Sequence, residues 1–393
     1  MAPIELDFPS ISSETWRNKI FKELKENTHL LEFYDTIENL SFDVTNRTTS
    51  TGSSKIKSTT NDWKHLTSID VTDEKKANQE ALQILEHGCD GLYFILPFKA
   101  IDINVLCEKI DFQYIHSIFC CRNQEQVDQV RHLQNQFGEE HIQIVGDESN
   151  SVFDWQQLGA NVIQQVVLAL IKSHQQILQN EGKTSQLIEF GIGSNYFVET
   201  AKFIAFRKLN DFLKKAYSAN CDTVIIGKTG WMNKSLRDPY TNILRLTTEI
   251  MSAANAGLDY IVVQAYDQLS EKGADFFSHR MGVNIGHILK EESYFNIVQF
   301  PLEGSYVLEN LIEEITKKAW ELFQTLDHLN EKECMEKFQS LVLETRQLRI
   351  EQWNTSKDVL IGVNKFPNPE KIENAWKNIP EINGIPYLIY ETL

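Results

Sequence analysis

From about residue 70 onward the chain alternates between two textures of apolar and polar positions. In one, nearly every residue of a short run is apolar; in the other, apolar residues recur every three or four positions. The short runs are Gly91–Pro97, Ile115–Cys120, Ile142–Val145, Leu187–Gly191, Thr223–Gly227, Tyr260–Gln264 and Ile297–Phe300, and they predict buried strands. The longer pattern predicts helices over Glu74–Glu86, Asn161–Gln179, Phe197–Tyr217, Asn242–Ala256, Phe276–Glu292 and Tyr306–Leu326. In the first of these, Ala77, Ala81, Leu82 and Leu85 share a face, and Gly88 stops the helix. Near-continuous apolar strands separated by helices predict a parallel sheet covered on both faces. Seven or eight such units without a nucleotide fingerprint favour a closed (β/α)8 TIM barrel, an α/β fold, over an open sheet.

The flanks read differently. Thr15–Leu24 is charged and amphipathic, which predicts a helix outside the main core. The Ser/Thr-rich tract Thr45–Asn61 is too polar to bury a core, so it reads as a linker, a partner-wrapping segment or plain disorder. After Glu331 a further helix, Cys334–Trp353, leads to a strand-like Val359–Val363 and a Pro-rich tail. The expected division is an N-terminal helix and extended arm over 1–69, the barrel over 70–330, and a C-terminal extension packed on the barrel over 331–393.

Composition narrows the function classes. With 55 acidic against 38 basic residues the net charge is −17, which argues against nucleic acid as the main partner while leaving a local basic pocket open. No apolar segment follows Met1, and the longest apolar run, Val166–Ile171, is far short of the ~20 residues of a membrane span. A cytoplasmic protein with no membrane partner is expected. The cysteines at 89, 107, 120, 121, 221 and 334 lack C-x-x-C spacing, and without a secretion signal the sequons at Asn46, Asn233 and Asn354 are chance matches.

Familiar chemical motifs fail on inspection. Gly227-Lys228-Thr229 ends a strand as a phosphate-binding loop does, but Asp222 stands where the required upstream glycine belongs. Gly191-Ile192-Gly193 follows a strand and precedes a helix, yet Tyr196 occupies the third glycine position of a dinucleotide fingerprint. That segment reads as a turn at the top of a barrel strand, with ligand contact through backbone amides as the alternative. His116 reads as a core residue, and the adjacent Glu291 and Glu292 point apart on a helix.

An ordered set of segments nevertheless resembles the methylmalonyl-CoA mutase family over roughly residues 60–370. It comprises Phe190–Phe197 with Ala201-Lys202, Lys228–Trp231, Asp238–Arg245 leading to Glu249 and Met251–Ala254, Asp275–Ser278, Glu291–Ser293, Pro301–Tyr306 with Lys318–Trp320, and Ile361–Lys365. The resemblance implies a substrate-binding TIM barrel. In catalytic chains of that family an acyl-CoA threads the barrel axis beneath a cobalamin held by a separate C-terminal domain. Cobalt–carbon homolysis there starts the rearrangement of methylmalonyl-CoA to succinyl-CoA.

This sequence departs from the catalytic pattern. It has no D-x-H-x-x-G motif for cobalt, and too little chain follows residue 370 for a flavodoxin-like cobalamin domain. With Trp63 as anchor, the family's radical-steering Tyr falls on Ser68; with Gly159-Ala160 as anchor, its carbonyl-polarising His falls on Asp154. The Arg before the G-I-G turn and the His of R-T-H-x-Q-T-S-G-W fall on Ser185 and Ile225. A carboxylate only accepts hydrogen bonds, and neither a hydroxyl nor an aliphatic replaces a charged donor.

The resemblance therefore implies a non-catalytic small subunit with no catalytic, cofactor-binding or metal residues of its own. It would pair with a large catalytic subunit as a heterodimer, or with itself when alone, and adenosylcobalamin would sit in the large subunit. Two other readings stay open: an active acyl-CoA mutase barrel using a cobalamin subunit in trans, and a solitary acyl-CoA-binding barrel. The last would draw on loop cations such as Lys228, Lys234, Arg237 and Arg245.

Overall fold

The strand-forming runs share a physical property: each presents side chains alternately to opposite sides, and both sides are dry. The computed structural model describes residues 11–25, 31–43, 45, 61–146, 151–179, 185–298, 300–369, 375–377 and 379–393. Most of the tract Thr45–Asn61 lies outside these residues. Before the barrel come the helix α1 (Ser13–Leu24) and an antiparallel hairpin of β1 (Glu32–Asp35) and β2 (Leu40–Asp43). The first half of the barrel is β3 (Lys64–Asp70), α2 (Glu74–Leu85), β4 (Gly91–Ile95), α3 (Ile103–Leu106), β5 (His116–Cys120), α4 (Gln124–Phe137) and β6 (Ile142–Val145). After α5 (Val152–Leu158) and α6 (Val162–Gln179) the second half runs β7 (Gln186–Ile192), α7 (Tyr196–Ala216), β8 (Thr223–Thr229), α8 (Thr241–Asn255) and β9 (Tyr260–Val263).

Seven strands form one parallel sheet in the order β6-β5-β4-β3-β9-β8-β7. The first and last strands in sequence, β3 and β9, pair through Lys64↔Tyr260 to Thr67↔Val263. That pairing of ends rolls the sheet into a nearly closed TIM-like barrel, open among the described residues only where β6 and β7 do not hydrogen-bond. Tight packing of strands explains one glycine: a Cβ on Gly91 would fall 1.7 Å from the His116 carbonyl oxygen.

Two expectations need correction. Ile297–Phe300 is not a strand: Ile297 and Val298 are 65% and 51% exposed, and Ile297 closes a turn onto Tyr294. Residue 299 is outside the described residues. Val359–Val363 is likewise a turn, closed by Val363 N–H to the Leu360 carbonyl at 3.1 Å, with one isolated bridge between Ile361 and Lys365. The position adjoining β9 is taken instead by β3, which falls inside the stretch read as the N-terminal arm. Its His65, Thr67 and Ser68 hide it from an apolar scan, although all three are buried.

Helices cover the outside of the barrel. The nearly all-buried α6 and the long α7 pack on α10 (Tyr306–Asp327), followed by α11 (Glu331–Asn354) and a short hairpin of β10 (Glu381–Ile382) and β11 (Ile385–Pro386). Between α8 and α10, α9 (Phe276–His287) continues as a π-helical turn over Ile288–Glu292. The N-terminal hairpin is tied down by charge. Glu38 accepts from the Val162 N–H at 2.8 Å, capping the positive end of α6, and pairs with Arg349 at 2.7 Å. By contrast α1 has no buried residue and is tethered through Arg17 to Asp43.

Candidate functional site in the barrel mouth

Strand alternation decides what can face the lumen. Leu66, Tyr93, Ile118, Cys120, Ile226, Tyr260 and Val262 form one apolar cluster drawn from strands on all sides, flanked by Ile95, Val145, Leu187 and Val224. Only the inside of the barrel can join residues of such distant strands. Their neighbours Ile69, Phe94, Phe119, Ile188, Ile225 and Ile261 belong to the two clusters between sheet and helices. Continuing the inward parity to the carboxyl ends gives Asp70, Ile95, Cys120, Val145, Glu189, Lys228 and Gln264. All seven line a cavity of about 410 Å³ at the barrel mouth.

The floor of that cavity is closed. Tyr93 has no exposed surface, and its hydroxyl donates to Glu189 Oε2 at 2.5 Å across the barrel. Burial pushes the Glu189 carboxyl above its usual range, with the nearby Lys228 charge opposing; burial and the Glu189 charge push the Tyr93 phenol well above its own. Beneath them lie Leu66, Ile118, Ile226 and Val262, each fully buried. Burying each is worth roughly 1.5–3 kcal/mol relative to exposure.

The wall holds a second phenol–carboxylate pair. Ser151 caps α5 by accepting from the Asp154 N–H at 3.0 Å, and its hydroxyl donates back to Asp154 Oδ2 at 2.6 Å. Asp154 Oδ1 accepts from the Tyr387 hydroxyl, whose pKa burial raises well above the phenol norm, helped by the Asp154 charge.

Tyr387 belongs to a C-terminal strap laid over the mouth. Lys377 N–H bonds the Leu269 carbonyl at 2.7 Å, Leu388 N–H the Gln157 carbonyl at 2.8 Å, and Tyr390 N–H the Met232 carbonyl at 3.1 Å. The strap is pinned by Glu391, which accepts from Ser235 Oγ (2.7 Å), Leu236 N–H (2.6 Å), Arg237 N–H (2.9 Å) and Trp376 Nε1 (2.9 Å).

The four positions singled out from sequence separate. Asp154 lines the cavity, and Ser68 faces the lumen, fully buried, with its hydroxyl unpaired among the described residues. Ser185 is exposed at the opposite, amino-terminal end of β7, and Ile225 packs outward against helices. The structure therefore brings Ser68 and Asp154 toward one site and leaves Ser185 and Ile225 away from it.

Of the candidate cations, Lys228 alone enters the cavity. Lys234 is buried in an ion pair with Glu249 at 2.6 Å, Arg237 is exposed beside Glu391, and Arg245 bonds Asn242 and the Ile361 carbonyl. The Gly191–Gly193 segment is a packing turn, since a Cβ on Gly191 would meet Gln156 Oε1 at 2.2 Å and one on Gly193 would meet Glu199 Oε1 at 2.8 Å. His116 is half-buried, with Nδ1 2.8 Å from the Glu140 carbonyl, and burial lowers its pKa. Sequence reading missed Tyr93, Glu189, Arg122 and Tyr387. The available signal was a polar or charged residue inside an otherwise apolar strand run, as with Glu189 in Leu187–Gly191.

Comparison with known proteins agrees with the architecture. A family model described as methylmalonyl-CoA mutase matches residues 160–383. The methylmalonyl-CoA mutase small subunit of Porphyromonas gingivalis is 28% identical over 92% of this chain and 71% of its own length. The methylmalonyl-CoA mutase of Cereibacter sphaeroides is 28% identical over 56% of this chain, and a probable mitochondrial methylmalonyl-CoA mutase of Caenorhabditis elegans 32% identical over 45%. The chain spans only 33% and 25% of those two proteins. Among the described residues no helix is long and apolar enough to cross a membrane. With its rolled parallel sheet and a match across more than half its length, the chain belongs to the methylmalonyl-CoA mutase family.

Proposed function

We propose that this chain is the non-catalytic small subunit of a cobalamin-dependent mutase, paired as a heterodimer with a large subunit that isomerises methylmalonyl-CoA to succinyl-CoA. The observation that carries this reading is the closed barrel axis. An acyl-CoA threaded along that axis would have to displace Tyr93 from Glu189 and expel the fully buried layer beneath it. Stripping the donor from a buried carboxylate costs about 1.5–3 kcal/mol before any repacking. The name of the Porphyromonas gingivalis relative, a small subunit, supports the same reading.

The mouth does not fit a corrin either. The strap formed by residues 375–377 and 379–393 occupies the face on which a cobalamin would rest, and its hydrogen bonds to Leu269, Gln157 and Met232 hold it there. Both tyrosine hydroxyls at the site are already engaged by carboxylates, so neither is free to act as a general acid on a thioester. In this reading the chain supplies a rigid scaffold for its partner, and the chemistry belongs to the large subunit.

The test is co-expression with the neighbouring large-subunit gene, followed by measurement of complex formation, cobalamin content and turnover. A stable complex with cobalamin in the large subunit is expected. Turnover of methylmalonyl-CoA by this chain plus adenosylcobalamin alone would overturn the proposal.

A further inference from the structure

The cavity above the closed axis holds a buried ammonium group that no hydrogen bond satisfies among the described residues. Lys228 is 5% exposed, and its Nζ lies 4.5 Å from the Tyr93 ring centre and 4.4 Å from that of Phe153. Among the described residues it makes no hydrogen bond and no ion pair. Buried ammonium groups are ordinarily paired, because desolvation without a counter-charge is expensive, and two aromatic faces offset it only in part. The five carboxylates lining the same cavity hydrogen-bond elsewhere: Glu189, which feels the Lys228 charge, accepts from Tyr93, Asp154 from Tyr387 and Ser151, Asp70 from Gln268 and Asp73 from the Lys76 N–H, while Glu80 pairs with His279. A second polar group points the same way. Gln264, 4% exposed, lines the cavity with its side-chain oxygen buried and unpaired. Arg122 adds another cation to the lining.

We propose that this cavity binds a short-chain hydroxy acid, its carboxylate against Lys228 and its hydroxyl donating to the unpaired Gln264 side-chain oxygen. A volume of about 410 Å³ falls within the ~300–1,000 Å³ of small-molecule pockets and gives a four-carbon acid ample room. The closed floor bars the long arm of a CoA thioester. The proposal holds whether or not the chain turns over an acyl-CoA, so its outcome is independent of the subunit assignment.

Titration calorimetry and thermal melts of the 393-residue chain with sodium succinate, lactate, propionate and phosphate test it. Lactate is expected to bind and raise the melting temperature, with propionate weaker because it lacks the hydroxyl and succinate weaker because its second carboxylate cannot donate. Lys228→Met should weaken binding at least tenfold, and Gln264→Met should narrow the gap between lactate and propionate. Glu189→Gln should tighten binding, since it removes a like charge from the cavity lining. No heat or melting shift at about 10 mM acid, where a 1 mM site is nearly saturated, overturns the proposal. So does phosphate or succinate binding equal to lactate, or unchanged lactate affinity in a folded Lys228→Met. Should Lys228→Met not fold, unaltered selectivity in Gln264→Met together with unaltered affinity in Glu189→Gln would be equally fatal.

Discussion

Replacing Lys234 with methionine keeps most of the side chain's volume and removes one half of a fully buried ion pair. Lys234 Nζ lies 2.6 Å from Glu249 Oε1, and the two side chains are 2% and 0% exposed. Asn233 donates to the same oxygen at 2.7 Å, whereas Glu249 Oε2 has no partner among the described residues. Burial already pushes the Glu249 carboxyl above its usual range, and Lys234 is the main opposing influence. Without it Glu249 must either stay charged in a dry site or take up a proton, and breaking such a pair costs about 3–5 kcal/mol. That is a large share of the ~5–15 kcal/mol that holds a typical domain. Urea unfolding followed by circular dichroism at pH 7 measures it. The double variant Lys234→Met/Glu249→Leu should recover most of the loss, because no orphaned charge remains. A sign check adds a second readout. In the single variant the folded-state pKa of Glu249 rises still further above the unfolded value, so the folded form holds the extra proton. The deficit should shrink as pH falls toward the unfolded pKa and grow as pH rises. A single variant within about 1 kcal/mol of the parent, or a double variant worse than the single, would refute the reasoning.

Three further outcomes follow from the same geometry. Tyr93→Phe leaves the buried Glu189 carboxyl without its donor and should cost about 1–3 kcal/mol in urea unfolding. Because the folded pKa of Glu189 is raised, its contribution to stability should decline as pH climbs from the unfolded carboxyl value through the folded one, and Glu189→Gln should erase that component in pH-dependent melts. Ile225→Ala should cost about 2–5 kcal/mol as an outward core residue, while Ser185→Ala should change stability by less than about 0.5 kcal/mol. Glu391→Ala removes the acceptor of four hydrogen bonds and should speed amide exchange across 385–393 without altering exchange in β4 and β5.

Most of the barrel was legible because its strands are dry on both faces and therefore apolar in sequence. The runs at Gly91, Ile115, Ile142, Leu187, Thr223 and Tyr260 all became strands. The failures share a cause. Lys64–Asp70 carries three buried polar residues, which an apolar scan discards, while Ile297 and Val298 are apolar but exposed on the surface. The site was less legible than the fold. Asp154 was found through a motif match, but its partner Tyr387 lies 233 residues away, and no local pattern connects them. Ser185 and Ile225 were assigned by aligning letters. The structure shows that a position on a barrel strand also has a side, and the one-residue step from Ile225 to Ile226 crosses from the helix layer to the lumen.

That alternation governs how the protein tolerates changes in chain length. Deleting Ile226 from the middle of β8 would carry the Lys228 ammonium into the layer packed against α8 and turn Thr229 toward the cavity in its place, a swap of every later side chain in the strand. Deleting two would restore the facing and merely shorten the strand. Insertions and deletions in the barrel strands should therefore survive selection in even numbers, while the loops above and below absorb any number.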